Sequence, residues 1–206
     1  MKIICVGWNY PLHNKEMQRA LVTEEPTLFM KPDSALLKDG KPFYLPDFAE
    51  RFEYEGELVV RICRLGKDIS EKFASRYYDA VTVGVDMTAR DLQARLRAAG
   101  QPWELAKAFD NSAIIGDFIP VAELETPLSE GIDFRLDLNG ETVQRGNSLE
   151  MTHSIDRIIA YASRYFTLKM GDLIFTGTPA GVGAVKINDR LQGYLADREV
   201  LDFSIR

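Results

Sequence analysis

Short apolar runs rich in β-branched residues are the feature of this sequence that most constrains its fold. They recur along the chain and are separated by turn residues, which is the pattern of strands in a β-rich protein. Two longer segments, about 89–99 and 155–166, show helical periodicity. Because strands and helices do not alternate regularly, the predicted class is α+β and rich in β. The predicted strands cover 2–6, 57–62, 80–85, 173–176, 190–195 and 199–205.

Two dipeptides predict hairpins. Asn139-Gly140 follows a run in which apolar and charged residues alternate, which is a strong signal for a two-residue hairpin loop. Asp39-Gly40 lies between the apolar runs 35–37 and 43–45 and predicts a second hairpin.

Near the N-terminus, a proline suited to a first helical position begins a predicted short amphipathic helix over residues 11–21.

Size, charge and cysteine content exclude several classes of protein. The length of 206 residues and the 46% hydrophobic content predict one domain over residues 1–206 with a buried core. A net charge of -6 without a basic run argues against nucleic acid as a partner. No apolar stretch has the length of a membrane span or a signal peptide. With only two cysteines, a disulfide framework is excluded and a cytoplasmic location is expected.

Three glutamates, Glu53, Glu55 and Glu57, alternate with other residues as the chain enters the apolar strand 57–62. Residues two apart on a strand share a face, so the three carboxylates are expected to point the same way. Two carboxylates about 4 Å apart repel by roughly 4 kcal/mol at an effective dielectric of about 20, which a cation would relieve. Oxygen ligands of this kind suit Mg²⁺ or Mn²⁺. The alternative is a solvated strand edge that carries charge as protection against aggregation.

An aspartate, Asp86, ends the predicted strand 80–85, and a helix with Thr88 as its expected cap follows. The end of a strand is a common position for a ligand-binding side chain on a rigid element. Arg90 and Gln93 are three apart, share a face of this helix and together could hold a carboxylate or a carbonyl. In the alternative interpretation, Asp86 only caps the helix and Arg90 is a solvated charge.

Two further segments could contribute to a site. Lys107 stands among apolar neighbours, so it could be buried against the carboxylates, or its ammonium could extend to solvent. Thr178 belongs to the glycine-rich loop 176–183, which has neither the ending of a P-loop nor the spacing of a dinucleotide fingerprint. This loop could bring its backbone close to a small ligand, or it could be an ordinary turn.

The chain contains only two histidines, His13 and His153, which excludes a multi-histidine zinc site. His13 and Glu16 are three apart on the predicted N-terminal helix. A carboxylate beside an imidazole orients the ring and raises its basicity, as the activation of a water molecule requires. A surface salt pair is the alternative. His153, near the start of the predicted helix 155–166, is interpreted as structural or exposed.

Together and in this order, these segments resemble the fumarylacetoacetate hydrolase family, and its single-domain acylpyruvase and oxaloacetate decarboxylase members most closely. The resemblance covers nearly the whole chain, and the motifs are specific in combination. The segment from Gly100 to Phe109 is similar to the acylpyruvase branch in particular. The matching motifs are Val6-Gly7-Trp8-Asn9-Tyr10 with His13 and Glu16, Phe29-Met30-Lys31-Pro32, Tyr54-Glu55-Gly56-Glu57-Leu58, Asp86-Met87-Thr88-Ala89-Arg90-Asp91, and Thr176-Gly177-Thr178-Pro179 with Gly181-Val182-Gly183.

The resemblance implies a β-rich sandwich or roll of the type of the family's C-terminal domain, with helices outside it, and a homodimer. It implies that Glu55, Glu57 and Asp86 bind one Mg²⁺ or Mn²⁺, which leaves Glu53 as an extra acid. It also implies a short N-terminal lid helix and a set of residues that contact the substrate. The lid carries His13 and Glu16, and the substrate contacts are Arg90, Gln93, Lys107 and Thr178.

The activity implied by the resemblance is cleavage of a carbon–carbon bond in a small 2-oxo acid with release of pyruvate. The reaction is hydrolysis of an acylpyruvate, in which His13 and Glu16 activate a water molecule, or decarboxylation of oxaloacetate, which needs no water. One alternative is an isomerase or decarboxylase of unsaturated 2-oxo or 2-hydroxy dicarboxylates from aromatic catabolism, of the 2-hydroxyhepta-2,4-diene-1,7-dioate isomerase type. Another alternative is a non-catalytic, metal-dependent binder of dicarboxylates.

Overall fold

Strands form most of the regular structure, as the sequence predicts. The computed structural model describes residues 1–16 and 24–206. Among these residues, no helix is both long enough and apolar enough to cross a membrane. The α-helices are α1 (Pro11–Glu16), α2 (Arg90–Ala98), α3 (Glu104–Lys107) and α4 (Ile155–Tyr165). The strands are β1 (Ile3–Gly7), β2 (Thr27–Lys31), β3 (Leu36–Leu37), β4 (Phe52–Tyr54), β5 (Gly56–Ile62), β6 (Tyr78–Asp86), β7 (Thr88–Ala89), β8 (Ala113–Ile115), β9 (Ile119–Pro120), β10 (Asp133–Leu138), β11 (Glu141–Asn147), β12 (Leu173–Phe175), β13 (Gly183–Ala184), β14 (Arg190–Leu195) and β15 (Arg198–Ser204).

The largest sheet is mixed and has the strand order β2-β1-β12-β5-β6-β8-β3, with β9 paired beside β6. Its centre is the antiparallel pair of β5 and β6. Leu58 and Val60 of β5 and Val83 and Val85 of β6 are fully buried in the main core, while Val59 points to a second buried cluster. These strands are buried on both faces, which explains why their sequences contain nearly continuous runs of apolar residues.

A four-stranded antiparallel sheet of order β11-β10-β14-β15 packs on one face of the large sheet. Phe134 and Leu136 of this sheet share a core with the apolar residues of β5 and β6. The two sheets approach so closely that a Cβ at Gly193 would lie 2.8 Å from Val83 Cγ1. The α+β, β-rich sandwich predicted from the sequence is confirmed.

The hairpin predicted at Asn139-Gly140 is also confirmed, because these residues connect the antiparallel strands β10 and β11. Their φ angles are 53° and 85°, the left-handed region that Asn and Gly tolerate best. The hairpin predicted at Asp39-Gly40 is wrong. The chain turns there, but β3 before it pairs in parallel with β8, and Phe43 after it forms a parallel bridge with Ile205.

Helix α4 follows the predicted pattern closely. The Ser154 hydroxyl accepts a hydrogen bond from the Arg157 N–H at 3.1 Å and caps the helix N-terminus. Ile155, Ile158 and Ile159 lie on the buried face of the helix. The 3.6-residue period therefore predicts both the helix and the face that packs on the core.

The other helices depart from the prediction in detail. Helix α2 begins at Arg90 and ends one residue before the predicted end, and its N-cap is Ala89 rather than Thr88. The Thr88 hydroxyl instead donates to the Asp86 carbonyl. Helix α1 covers the first part of the predicted segment 11–21, and the rest of that segment lies outside the described residues. Leu12, an apolar residue of this helix, is 63% exposed.

Candidate functional site

Three buried carboxylates meet at the junction of β5 and β6. Glu55, Glu57 and Asp86 each offer an oxygen, and these oxygens all lie within 4.8 Å of one another. The three residues are 6%, 2% and 1% exposed. A buried set of carboxylate oxygens without sulfur or imidazole suits a hard divalent cation. The structure therefore brings together the three acids that the sequence singles out, and their chemistry fits Mg²⁺ or Mn²⁺.

The pairing of β5 with β6 explains this assembly. Glu57 lies opposite Gly84, and the two-residue period of a strand places Asp86 on the same face as Gly84. Gly84 leaves no room for a side chain, since a Cβ there would lie 2.8 Å from Val59 Cγ2. Glu55 lies between β4 and β5, and its carbonyl accepts the Asp86 N–H at 2.9 Å. The rigid centre of the large sheet thus fixes all three acids.

Glu53 does not join this cluster. The alternation expected for the three glutamates is interrupted, because β4 ends at Tyr54 and a separate strand begins at Gly56. Glu53 instead accepts a hydrogen bond from Arg90 Nε at 2.5 Å and lies 2.6 Å from Arg51 Nε. The extra acid therefore neutralises arginine side chains.

Lys107 lies against the carboxylates. Its Nζ donates to Glu55 Oε2 at 2.7 Å, to Asp86 Oδ2 at 2.8 Å and to Thr88 Oγ1 at 2.6 Å. The residue is only 3% exposed. The interpretation of Lys107 as a buried partner of the acids is confirmed, and the interpretation in which its ammonium extends to solvent is wrong.

Burial and opposing charges set the protonation of these groups. Burial raises the pKa of Glu57 well above its usual range, and the charges of Asp86 and Glu55 raise it further. For Glu55, burial alone would raise the pKa, but Lys107 and then Arg90 outweigh it and hold that pKa well below its usual range. Burial lowers the pKa of Lys107, but Asp86 and Glu55 outweigh this and raise it overall. Glu57 therefore favours its neutral form in the metal-free site, and a bound cation would favour its ionised form.

Lys31 is a buried part of the site to which the sequence motifs assigned no role. Its Nζ lies 2.7 Å from Asp86 Oδ1, donates to Ser112 Oγ at 3.0 Å and also donates to the Lys107 carbonyl. It therefore connects Asp86 to the segment that carries Lys107. One feature of the sequence could have indicated this role. Lys31 ends an apolar run directly before Pro32, and a lysine buried in such a position needs an acidic partner.

Arg90 and Gln93 share a face of α2, as predicted. Arg90 donates through Nη2 to Glu55 Oε1 at 2.5 Å and through Nη1 to Gln93 Oε1 at 2.7 Å. Burial lowers the pKa of Arg90, but Glu55 and then Glu53 outweigh this and raise it, so the guanidinium stays charged. The interpretation of Arg90 as a solvated charge is wrong, because its side chain is 14% exposed.

The glycine-rich loop after β12 contributes both backbone and side-chain groups. The Gly177 N–H donates to Glu57 Oε2 at 2.7 Å. The Thr178 hydroxyl donates to the Gly56 carbonyl at 2.9 Å and accepts from Gln144 Nε2 at 2.8 Å. Gly177 has a φ of 100°, which a residue with a side chain rarely adopts. The loop is therefore part of the site and not an ordinary turn.

His13 and Glu16 form the pair predicted from their spacing, with His13 Nδ1 3.2 Å from Glu16 Oε2. The imidazole stacks on Trp8 with ring centroids 6.0 Å apart. The Gly181 N–H lies 3.2 Å from both Glu16 oxygens and joins α1 to the glycine-rich loop. Because His13 is only 5% exposed, the pair is more than a surface salt bridge.

A cavity of about 30 Å³ lies among these groups. Every predicted site residue except Glu16 lines the cavity, and Glu16 lies behind His13. The predicted residues that line it are His13, Glu55, Glu57, Asp86, Arg90, Gln93, Lys107 and Thr178.

His153 lies outside this cavity. Its N–H donates to Asn9 Oδ1 at 2.8 Å, and its carbonyl accepts from Asn9 Nδ2 at 3.0 Å. These bonds connect the start of α4 to the segment after β1, which agrees with a structural role for His153.

Both cysteines are free thiols, and Cys5 is buried.

The fold and the site define a β-rich protein with a buried acidic centre beneath a short helix. The model of the family described as "Fumarylacetoacetate (FAA) hydrolase C-terminal" matches residues 2–206. The chain therefore belongs to the fumarylacetoacetate hydrolase family, which confirms the resemblance seen in the motifs.

Characterised relatives carry more specific names. The chain is 43% identical over 190 residues to an oxaloacetate tautomerase of Escherichia coli (strain K12), covering 92% of this chain and 86% of that protein. It is 42% identical over 190 residues to a mitochondrial oxaloacetate tautomerase of Rattus norvegicus, covering 92% and 85%. A crystal structure of fumarylpyruvate hydrolase from Pseudomonas aeruginosa in complex with Mn²⁺ and pyruvate superposes with a TM-score of 0.92 at 37% identity, covering 100% and 89%.

Proposed function

We propose that this protein is a divalent-metal-dependent enzyme that cleaves a carbon–carbon bond in a small 2-oxo acid and releases pyruvate. The reactions are hydrolysis of an acylpyruvate, decarboxylation of oxaloacetate, or both. The observation that carries the proposal is the buried cluster of Glu55, Glu57 and Asp86 with Lys107 against it. The relative from Pseudomonas aeruginosa, solved with Mn²⁺ and pyruvate, supports it.

Glu55, Glu57 and Asp86 are the residues that would hold Mg²⁺ or Mn²⁺. When bound, such an ion supplies Lewis-acid stabilisation of the negative charge that develops as an enolate forms. Lys107 adds a fixed positive charge beside the same carboxylates. Because its ammonium is held by hydrogen bonds in a site with little room for water, this charge needs no reorganisation during the reaction.

Arg90, Gln93 and Thr178 line the cavity beside the acids and are proposed to bind the substrate. The guanidinium of Arg90 is planar and held by two carboxylates, which suits it to orient a substrate carboxylate or carbonyl. The Gln93 amide and the Thr178 hydroxyl provide neutral hydrogen-bonding groups that line the same cavity. Holding the 2-oxo acid in one orientation lowers the entropy cost of reaching the transition state.

In the hydrolytic reaction, His13 and Glu16 take a proton from the attacking water. His13 faces the cavity and Glu16 stabilises the protonated imidazole from behind. The water oxygen bonds to the distal carbonyl carbon, and the bond between this carbon and the pyruvyl methylene breaks. The electron pair forms the enolate of pyruvate, which then takes up a proton. In decarboxylation, carbon dioxide leaves directly and gives the same enolate.

A second candidate is oxaloacetate tautomerase, the name of two relatives at 43% and 42% identity. Interconversion of keto and enol forms moves one proton between carbon and oxygen and passes through the enolate of oxaloacetate itself, which keeps both carboxylates. The groups proposed to stabilise the enolate would serve this reaction, and no carbon–carbon bond would break.

The test is release of pyruvate from acetylpyruvate, fumarylpyruvate and oxaloacetate, coupled to lactate dehydrogenase, with Mg²⁺, with Mn²⁺ and with a chelator. Oxaloacetate is corrected for its metal-catalysed background decay. Metal-dependent release supports the proposal, and the ranking of substrates chooses between hydrolase and decarboxylase. An ultraviolet change of enol-oxaloacetate without pyruvate release favours the tautomerase. Tight metal-dependent oxalate binding without turnover of these compounds favours a dicarboxylate binder.

His13→Ala is expected to reduce acylpyruvate hydrolysis by about 10²- to 10⁴-fold, the usual contribution of a positioned base. Decarboxylation of oxaloacetate should fall much less, because no water attacks. The measurement is kcat for both substrates at saturating metal. Equal losses for the two substrates would show that the pair does not activate the water.

Glu53→Gln tests the assignment of Glu53 to Arg90 rather than to the metal. The variant weakens the charge-assisted bond to Arg90 Nε, so KM is expected to rise about three- to tenfold. The affinity for Mn²⁺, measured by calorimetry, should stay within about twofold because the oxygens of the cluster remain. A collapse of Mn²⁺ affinity would instead place Glu53 among the ligands.

Several expectations from the composition and from the family resemblance stay predictions. We propose a homodimer, a single domain over residues 1–206 and a cytoplasmic location, whereas several relatives, the one from Rattus norvegicus among them, are named as mitochondrial. The absence of a nucleic-acid partner rests on the acidic net charge of -6. The choice between Mg²⁺ and Mn²⁺ also belongs to the proposal.

A further inference from the structure

A second cavity, which we name the distal groove, adjoins the first. It has a volume of about 260 Å³ and is lined by residues 27–30 and 101–104 together with Lys107. Phe29, Trp103 and Lys107 line both cavities. The rings of Phe29 and Trp103 meet edge to face with centroids 6.4 Å apart. An aromatic wall therefore lies between the acidic centre and the distal groove.

The sizes of the two cavities assign different parts of a substrate to them. The cavity at the acids, about 30 Å³, is much smaller than the distal groove, about 260 Å³. An acylpyruvate with its pyruvyl end at the acids would therefore place its acyl group beyond the residues that line this cavity. The distal groove offers about 260 Å³ directly beyond Phe29 and Trp103, and a shift of these two rings would connect the two spaces.

The charge of the distal groove selects the group that it can bind. Of the described residues that line it, only Lys107 and Glu104 are ionisable. The Lys107 ammonium is already held by Glu55, Asp86 and Thr88. Glu104 is exposed and adds a negative charge. A carboxylate placed here would therefore lose water, meet a like charge and find no free cation.

We propose that the distal groove binds the acyl group of an acylpyruvate and selects uncharged acyl groups over groups that end in a carboxylate. The inference rests on the proposed function and names its substrate class. Acetylpyruvate and longer neutral acylpyruvates are preferred over fumarylpyruvate. This preference differs from the name of the 37% identical relative, a fumarylpyruvate hydrolase.

The test compares kcat/KM for acetylpyruvate and fumarylpyruvate, both followed as pyruvate release at saturating Mg²⁺ or Mn²⁺. The wild-type protein is expected to favour acetylpyruvate by about tenfold or more. Glu104→Arg, which gives the distal groove a cation, should shift this ratio toward fumarylpyruvate by at least about tenfold. Glu130→Arg changes the net charge equally at an exposed residue outside the groove and should leave the ratio unchanged.

Three outcomes would overturn the assignment. A ratio that does not respond to Glu104→Arg shows that the acyl group does not enter the distal groove. The second outcome is a wild-type preference for fumarylpyruvate that is lost in Arg97→Gln. It would show that the distal carboxylate of the substrate lies beside Trp8 instead, where the Arg97 guanidinium is 5.7 Å from the ring centroid. Absence of metal-dependent release from every substrate removes the proposed function and this inference together, whereas release with an unresponsive ratio removes only the inference.

Discussion

Glu57→Gln is expected to abolish metal-dependent pyruvate release, with a fall in kcat/KM of about 10³-fold or more. The substitution removes one of three carboxylates whose oxygens lie within 4.8 Å of one another, while its amide oxygen can still accept the Gly177 N–H. Binding of Mn²⁺, measured by calorimetry, should weaken in parallel.

The same variant has a second expected result, on stability. Because burial, Asp86 and Glu55 raise the pKa of Glu57, the folded protein binds its proton more tightly than the unfolded chain does. The stability linked to that proton is lost as the pH rises from the ordinary carboxyl range through the raised pKa. In chelator at neutral pH, Glu57→Gln should therefore unfold at the same temperature as the wild type or higher.

Added Mn²⁺ should raise the unfolding temperature of the wild type and leave that of Glu57→Gln nearly unchanged. Glu141→Gln, an exposed substitution of the same kind, serves as the control and should behave as the wild type in every assay. Full metal-dependent activity in Glu57→Gln would show that the metal ligands are assigned wrongly.

Lys107→Met is expected to destabilise the metal-free protein by about 3–5 kcal/mol, because it leaves two buried carboxylates without their shared ammonium. The measurement is urea unfolding in chelator. Mg²⁺ or Mn²⁺ should restore part of this stability, since a divalent cation compensates the same charges. Even with saturating metal, kcat/KM should stay about 10²-fold or more below the wild type, because the fixed charge near the developing enolate is gone.

Lys38→Met provides the matched control for this substitution. The Lys38 side chain is 60% exposed, so its loss should change the free energy of unfolding by no more than about 0.5 kcal/mol. A Lys107→Met protein as stable as this control would mean that the ammonium does not compensate the acids.

The parts of the fold that local patterns determine could be predicted from the sequence. The β-branched runs of β5 and β6, the Asn139-Gly140 hairpin and the capped helix α4 each depend on neighbouring residues. Asp39-Gly40 is the counterexample. Its turn is local, but the parallel pairing of β3 with β8 depends on contacts between distant parts of the chain.

The site could be predicted to a similar extent. The spacing of Glu55 and Glu57 and the position of Asp86 after a strand indicated the acids, and the family motifs joined them. The role of Glu53 depends on a strand break at Glu55 that alternation alone does not reveal. The role of Lys31 depends on β2 placing its ammonium beside Asp86, which is a tertiary contact.

The site combines residues of the central sheet with residues of peripheral segments. This arrangement affects how the reactions of related proteins can differ. Glu57 and Asp86 lie on the central strands β5 and β6, and Glu55 directly precedes β5. These strands are packed on both faces and tolerate little change. His13 and Glu16 belong to a single short helix, and residues 101–104 belong to a separate segment before and within α3. Under the proposed function, substitutions in these two segments would change the molecule accepted or the proton transferred, and the acids would keep their role in enolate stabilisation. One scaffold can in this way give rise to hydrolases, decarboxylases and tautomerases without rebuilding its core.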